Sequence, residues 1–204
     1  MQYYLGLDIS TSCTGITILN SAGVLEELTY ITTNKEKSLF CKAKMIKNKL
    51  LEISSAWKIS EVFVEENLQS FSTGMSSART LLQLARINGI VSFCCYEIFG
   101  LEPIFLNVNS VRKQCQMPID RKSGVKIKEQ VFQWVKQQLP TFEWPTKVLS
   151  RGPNKGNVKL MECCYDMSDS YVIAYGGYIL KNKRDIVDTS SGKKTKSNRK
   201  SLRS

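Results

Sequence analysis

The sequence contains no histidine. That removes Ser/His and Cys/His nucleophilic triads, and any imidazole general base, from the chemistry open to it. No Cys-x-x-Cys occurs either. The seven cysteines, at 13, 41, 94, 95, 115, 163 and 164, are odd in number and include two adjacent pairs. Without imidazole or thiols at ligand spacing a zinc site has no support. The cysteines read as reduced and mostly buried, as in a cytosolic-type compartment. No apolar run approaches the ~18–20 residues of a membrane span. The N-terminus enters strand-like sequence at once, with no basic stretch ahead of an apolar core, so a signal peptide, secretion and a membrane partner are not expected.

What is present is one core's worth of apolar residues and an excess of positive charge. The chain has 204 residues, 42% of them hydrophobic, which fits a single domain, placed at 1–184. The formal net charge is +11, and residues 181–204 carry nine Lys/Arg against two Asp. The segment 185–204 reads as a basic, disordered tail able to hold polyanions through phosphate contacts. A solubility tail or a localisation signal fits its composition equally well.

Strand-like segments are expected at Tyr3–Ile9, Thr14–Asn20 and Val24–Thr32, the last two joined by the turn Ser21-Ala22-Gly23. Leu39, Ala43, Ile46, Leu50, Ile53 and Trp57 repeat at helical spacing, with the lysines largely elsewhere on that helix. The short run 61–64 suits a buried parallel strand. A second helix is expected from about Ser76 to Tyr96, with Ala78, Leu82, Ala85, Gly89 and Phe93 on one stripe and Gly89 marking close backbone packing. A strand at Pro103–Val108, a short helix around Val111-Arg112-Lys113 and a helix over Lys126–Leu139 follow. Residues 141–159 have no clear period and are long for a loop, hence either mobile or functional. A last helix follows Asp166 and ends near Leu180. The order predicts an α/β fold: a mixed sheet, its first three strands an antiparallel meander, flanked by helices.

Four carboxylates stand at the edges of these elements. Asp8 ends the first strand, at the sheet edge where open α/β folds bind ligands, although a lone aspartate there also serves as a turn residue. Glu65 ends the strand at 62–64. It competes with Glu66, because one residue along a strand reverses the face, and an ordinary solvated strand end fits it too. Asp166 and Asp169 precede an apolar helix, where they also suit a cap and the helix dipole. Taken together, the four would repel unless Mg²⁺ or Mn²⁺ neutralised them, and such hard cations prefer oxygen ligands. Two ions roughly 3.5–4 Å apart hydrolyse phosphodiesters without any histidine.

Several stretches carry a family resemblance. Leu5-Gly6-Leu7-Asp8 with Ser10, Thr14 and Gly15, then Val64-Glu65, Leu82-Gln83-Leu84-Ala85-Arg86 through Gly89, Val111-Arg112-Lys113, Lys128-Glu129-Gln130-Val131 and Asp166-x-x-Asp169 resemble, in order, the motifs of RuvC-type Holliday-junction resolvases. The resemblance implies an RNase H-like fold, a homodimer, and Mg²⁺-dependent paired nicking of four-way DNA junctions with no small-molecule cofactor. It also implies Asp8, Glu65, Asp166 and Asp169 as ligands of two metal ions, with Lys128 stabilising charge at the phosphate. The chain departs from the pattern in its longer 140–160 segment, its basic tail, Ile9-Ser10 after the first aspartate, and Leu68 where an aromatic is expected, with Phe71 three residues on. Compact variants with basic extensions are typical of phages and large viruses, so a cytoplasmic, nucleoid or viral replication site is expected.

Two rivals differ in substrate or class. A nuclease of the same fold acting on flaps, other branched DNA or RNA–DNA hybrids shares every residue above, since the metal site reads phosphate. An actin- or hexokinase-type ATP-binding protein shares the loop after Asp8, but 204 residues are too few for two such lobes.

Overall fold

Alternating and continuous apolar runs near the N-terminus form three antiparallel strands, β1 (Tyr3–Asp8), β2 (Cys13–Asn20) and β3 (Leu25–Thr32). The β2–β3 turn closes because the Asn20 side chain accepts from the amides of Ala22 and Val24 and Gly23 takes φ 77°. The computed structural model describes residues 1–66 and 78–191. After β3 come α1 (Leu39–Ala56), capped by the Ser38 hydroxyl, β4 (Ile59–Glu65), α2 (Ala78–Phe99) and β5 (Ile104–Leu106). Then follow α3 (Val108–Gln114), capped by Asn107, α4 (Ile127–Gln138), the two short strands β6 (Thr146–Val148) and β7 (Val158–Leu160), and α5 (Cys163–Ser191).

The main sheet has the order β3-β2-β1-β4-β5, with β4 parallel to β1 and β5 parallel to β4. This is the mixed α/β sheet expected from the element order. Strand alternation divides the core in two. Leu5, Leu7, Ile16, Ile18, Val62 and Val64 pack with α1 and α2 on one face. Tyr4, Leu19 and Phe63 pack with α3, α4 and α5 on the other.

Helix α5 lies very close to the sheet. A Cβ on Gly6 would overlap Ala174, and one on Gly15 would overlap the Asp166 carbonyl. A buried hydrogen bond sets the rotation of the helix: Ser170 donates to the Met167 carbonyl at 2.8 Å, which leaves Thr17 to donate to Ser170 Oγ, also at 2.8 Å.

Three expectations change. The last helix starts at Cys163 and runs to Ser191, past the end placed near Leu180, because its first turns pack against β1 and β2 and Lys181 ties it to Glu61. The segment 141–159 is not unstructured: β6 and β7 pair as a hairpin, Thr146 opposite Leu160 and Val148 opposite Val158. Helix α2 buries Ile87, Val91, Cys94 and Cys95 instead of the expected stripe, leaving Leu82 56% and Phe93 58% exposed. It is apolar on two faces, and only one of them can meet the sheet. A Cβ added at Gly89 would accordingly meet nothing within 4 Å among the described residues. Leu68, Phe71 and residues 192–204 of the basic tail lie outside the described residues.

Candidate active site

Parallel pairing of β1 with β4 sets their carboxyl ends side by side, and each ends in an acid, Asp8 and Glu65. Asp8 shares the face of Tyr4 and Gly6, and Glu65 that of Phe63, so both side chains leave toward α5. The same alternation places Glu66 one residue beyond the strand and off that face. The buried Asn88 of α2 holds the end of β4 by donating to the Glu65 carbonyl at 3.2 Å.

Asp166 and Asp169 come from the first turns of α5, three residues apart and therefore on one side of the helix. Since the helix begins at Cys163, neither is its N-cap. Gly15 is the register partner of Asp8 and lies directly under the Asp166 carbonyl, so a residue without a side chain is what lets this turn settle beside the end of β1. Asp8 feels the charge of Glu65, Asp169 and Asp166 together. The four acidic residues are thus gathered at one end of the sheet.

Their titration reflects burial first and crowding second. Burial, then the neighbouring carboxylates, pushes Asp8 far above the usual range. Burial and Asp169 push Glu65 up to about 7, partly offset by Arg112 and by a hydrogen bond from Asp8. Asp169 is raised to about 6 by burial, against the pull of Arg112. Asp166 is raised by burial and partly relieved by the Cys13 thiol. Like charges this close cannot all ionise in a low-dielectric site.

Two cations stand at the cluster. Arg112 of α3 meets Asp169 at 3.3 Å, both groups largely buried, and the Arg112 Nε has no hydrogen-bond partner among the described residues. Lys128 of α4 stacks over Tyr165 at 4.5 Å, and its charge pulls the pKa of Asp166 and Asp169 down, against the effect of burial. Sequence reasoning placed Arg112 within a stretch that resembles the resolvases' basic segment but selected only Lys128 as the residue at the phosphate. The spacing from Arg112 to Asp169 is long in sequence, and only the packing of α3 on α5 makes them neighbours. Two cavities flank the cluster. One, of about 210 Å³, is lined by Asp8, Ser10, Glu65, Leu84 and Asn88. The other, of about 270 Å³, is lined by Arg112, Lys113, Arg121 and Met117.

A largely buried, all-oxygen carboxylate set, its protons held first by burial and then by neighbouring carboxylates, fits a hard divalent cation. Among the described residues, however, no three Asp, Glu or Cys side chains form a ready-made ligand cage. The reason is local: Asp8 hydrogen-bonds Glu65, Asp169 turns to Arg112, and Asp166 faces Cys13.

No family model and no curated protein matches the sequence. Solved structures do. Thermus thermophilus RuvC in complex with Holliday junction substrate aligns with a TM-score of 0.62 at 16% identity, over 90% of this chain and 96% of that one. Another Thermus thermophilus RuvC structure aligns with a TM-score of 0.58 at 18% identity, covering 89% and 96%. The yeast mitochondrial Holliday junction resolvase aligns with a TM-score of 0.50 at 13% identity, covering 91% and 83%. The chain has the RuvC-type, RNase H-like fold over nearly its whole length.

Proposed function

We propose that this chain is a metal-dependent, structure-selective endonuclease that resolves four-way DNA junctions by paired symmetric nicks. The observation that carries this reading is the convergence of Asp8, Glu65, Asp166 and Asp169 at one end of a RuvC-like sheet, with Arg112 and Lys128 beside them. A binding protein gains nothing from buried negative charge next to phosphate, whereas a phosphodiesterase needs it to hold cations.

In this reading the four carboxylates hold two Mg²⁺ ions, or Mn²⁺. When bound, these ions activate water and stabilise the leaving oxygen of a phosphodiester. Ligation requires Glu65 to part from Asp8 and Asp169 to part from Arg112. The released guanidinium, still flanked by Lys113 and Arg121, then pairs with a phosphate oxygen, for which its planar fork is well shaped. Lys128 offsets charge on the same phosphate. The stripe on α2 left bare in the single chain, Leu82, Phe93 and Tyr96 with the open Gly89 between them, supports a two-fold contact with a second copy.

The test is incubation of labelled four-way junction, flap, duplex and RNA–DNA hybrid with the protein in Mg²⁺ and in EDTA. Paired, symmetric, Mg²⁺-dependent nicks in the junction are expected. Preferential cutting of flaps or hybrids would keep the chemistry and replace the substrate. Asp8→Asn should cut cleavage by on the order of 10²–10³-fold or more while leaving junction binding intact. Cleavage near the wild-type rate would show that Asp8 has no part in the chemistry.

A further inference from the structure

The β6–β7 hairpin has a feature that stability alone does not explain. Lys147 and Lys159 are cross-strand partners, both exposed, so two ammonium groups project from the same face of a two-stranded ribbon. Like charges directly opposite one another destabilise a strand pair. Arg151 and Lys155 add two more exposed cations at the tip, and residues 145–161 contain no acid. Among the described residues none of these four basic side chains makes an ion pair. On the opposite face Val148 and Val158 also pair, 65% and 67% exposed. The ribbon carries repelling cations on one side and bare apolar surface on the other.

The root of the hairpin is fixed. Trp144 packs edge-on against Phe132 of α4 at 4.9 Å and Phe142 at 5.0 Å. The Met161 amide donates to the Pro145 carbonyl at 3.0 Å, and the Cys164 thiol donates to the same oxygen at 3.3 Å. Pairing continues past β6 and β7, with the Leu149 amide donating to Asn157 at 3.0 Å and the Gly156 amide to Leu149 at 2.8 Å. A ribbon of this length reaches roughly 15–20 Å from its root. That root is joined to the first turn of α5, the turn that carries Asp166.

We propose that this hairpin is a DNA-binding arm, its lysine face lying along the phosphates of a duplex arm that leads into the carboxylate cluster. The inference rests on the nuclease reading and deepens it, assigning the extra 140–160 segment to the substrate beyond the scissile phosphate. An acidic protein would satisfy the same charges. The shared anchorage of the arm and Asp166 favours the polyanion the cluster itself handles.

The experiment measures binding of the full chain to a labelled four-way junction and to a plain duplex, in EDTA, across a salt series. The variants are Lys147→Ser/Lys159→Ser and Lys147→Arg/Lys159→Arg, with melting temperatures taken alongside. The serine pair should weaken binding on the order of ten- to thirty-fold at physiological salt and flatten the log–log salt slope by about two. The arginine pair should keep the wild-type slope. The serine pair should melt no lower than wild type, because a repulsion has been removed. Unchanged affinity and slope in the serine pair overturn the proposal, and a lowered melting temperature with unchanged binding does so by marking a structural role. A wild type that cuts no junction yet binds duplex with a lysine-dependent slope would leave the arm standing and remove the resolvase reading. A wild type that binds neither DNA removes both.

Discussion

At the residue scale the cluster makes a pH prediction opposite to the common one for carboxylates. Glu65 is pushed up to about 7 and Asp169 to about 6, so the folded chain keeps protons that the unfolded chain has already released above about pH 4. Stability contributed by these groups is greatest on the acid side and falls as the pH rises through about 4 to 7, because the folded state binds more protons throughout that window. The loss should be on the order of a few kcal/mol, less than the sum of two independent groups because the titrations are coupled. Thermal melting in EDTA should give a higher midpoint near pH 5 than near pH 8, and Glu65→Gln should remove much of the difference. If melting instead rises steadily from pH 5 to 8 in EDTA, the carboxylates do not crowd one another as described. Of the acids, Glu65 could not be separated from Glu66 by reading the chain. Both follow an apolar run, and the choice depends on which face of β4 meets α5.

At the element scale the decisive contact is α5 on the sheet. Gly15 in β2 is covered by the Asp166 backbone, leaving no room for a methyl group. Gly15→Ala should lift the first turn of α5 and destabilise the fold by about 1–3 kcal/mol. It should also lower cleavage more than junction binding, because the carboxylates move relative to Asp8 while the basic surface stays. Comparing single-turnover rate with affinity checks this, and equal losses in both would mean that α5 does not position the site. Helices α1 and α4 were readable from periodicity, since their apolar residues lie on one face, and the meander from its apolar runs and the turn at 21–23. Helix α2 was not: with apolar residues on two faces, its pattern does not say which one the sheet will take.

At the scale of the whole molecule, the α2 stripe and the basic tail bear on partners besides the hairpin. The bare stripe of α2 should pair with a second copy, so Phe93→Glu, at a side chain 58% exposed in the single chain, should convert a dimer to a folded monomer. Light scattering after size exclusion reads this directly, and an unchanged mass for the variant would rule out α2 as the contact. The tail beyond the described residues carries six Lys and Arg at 193–203. Removing 192–204 should weaken binding to any DNA and make it less salt-dependent, and an unaltered salt slope would exclude that role. No helix among the described residues is long and apolar enough to cross a membrane.

Residue types and their spacing were sufficient to give the α/β class, the strand-ending Asp8, an acid at 65 or 66 ending the next strand, and Asp166 and Asp169 at the start of an apolar helix, because these depend on local patterning alone. Three-dimensional packing decided the rest. It brought Arg112 to Asp169 from a different helix, turned an apparent core stripe of α2 outward, and paired Lys147 with Lys159 across a hairpin that has no periodic signal. Each of these is a contact between segments far apart along the chain. Such contacts depend on how sheet and helices close on one another, which no short stretch of sequence encodes.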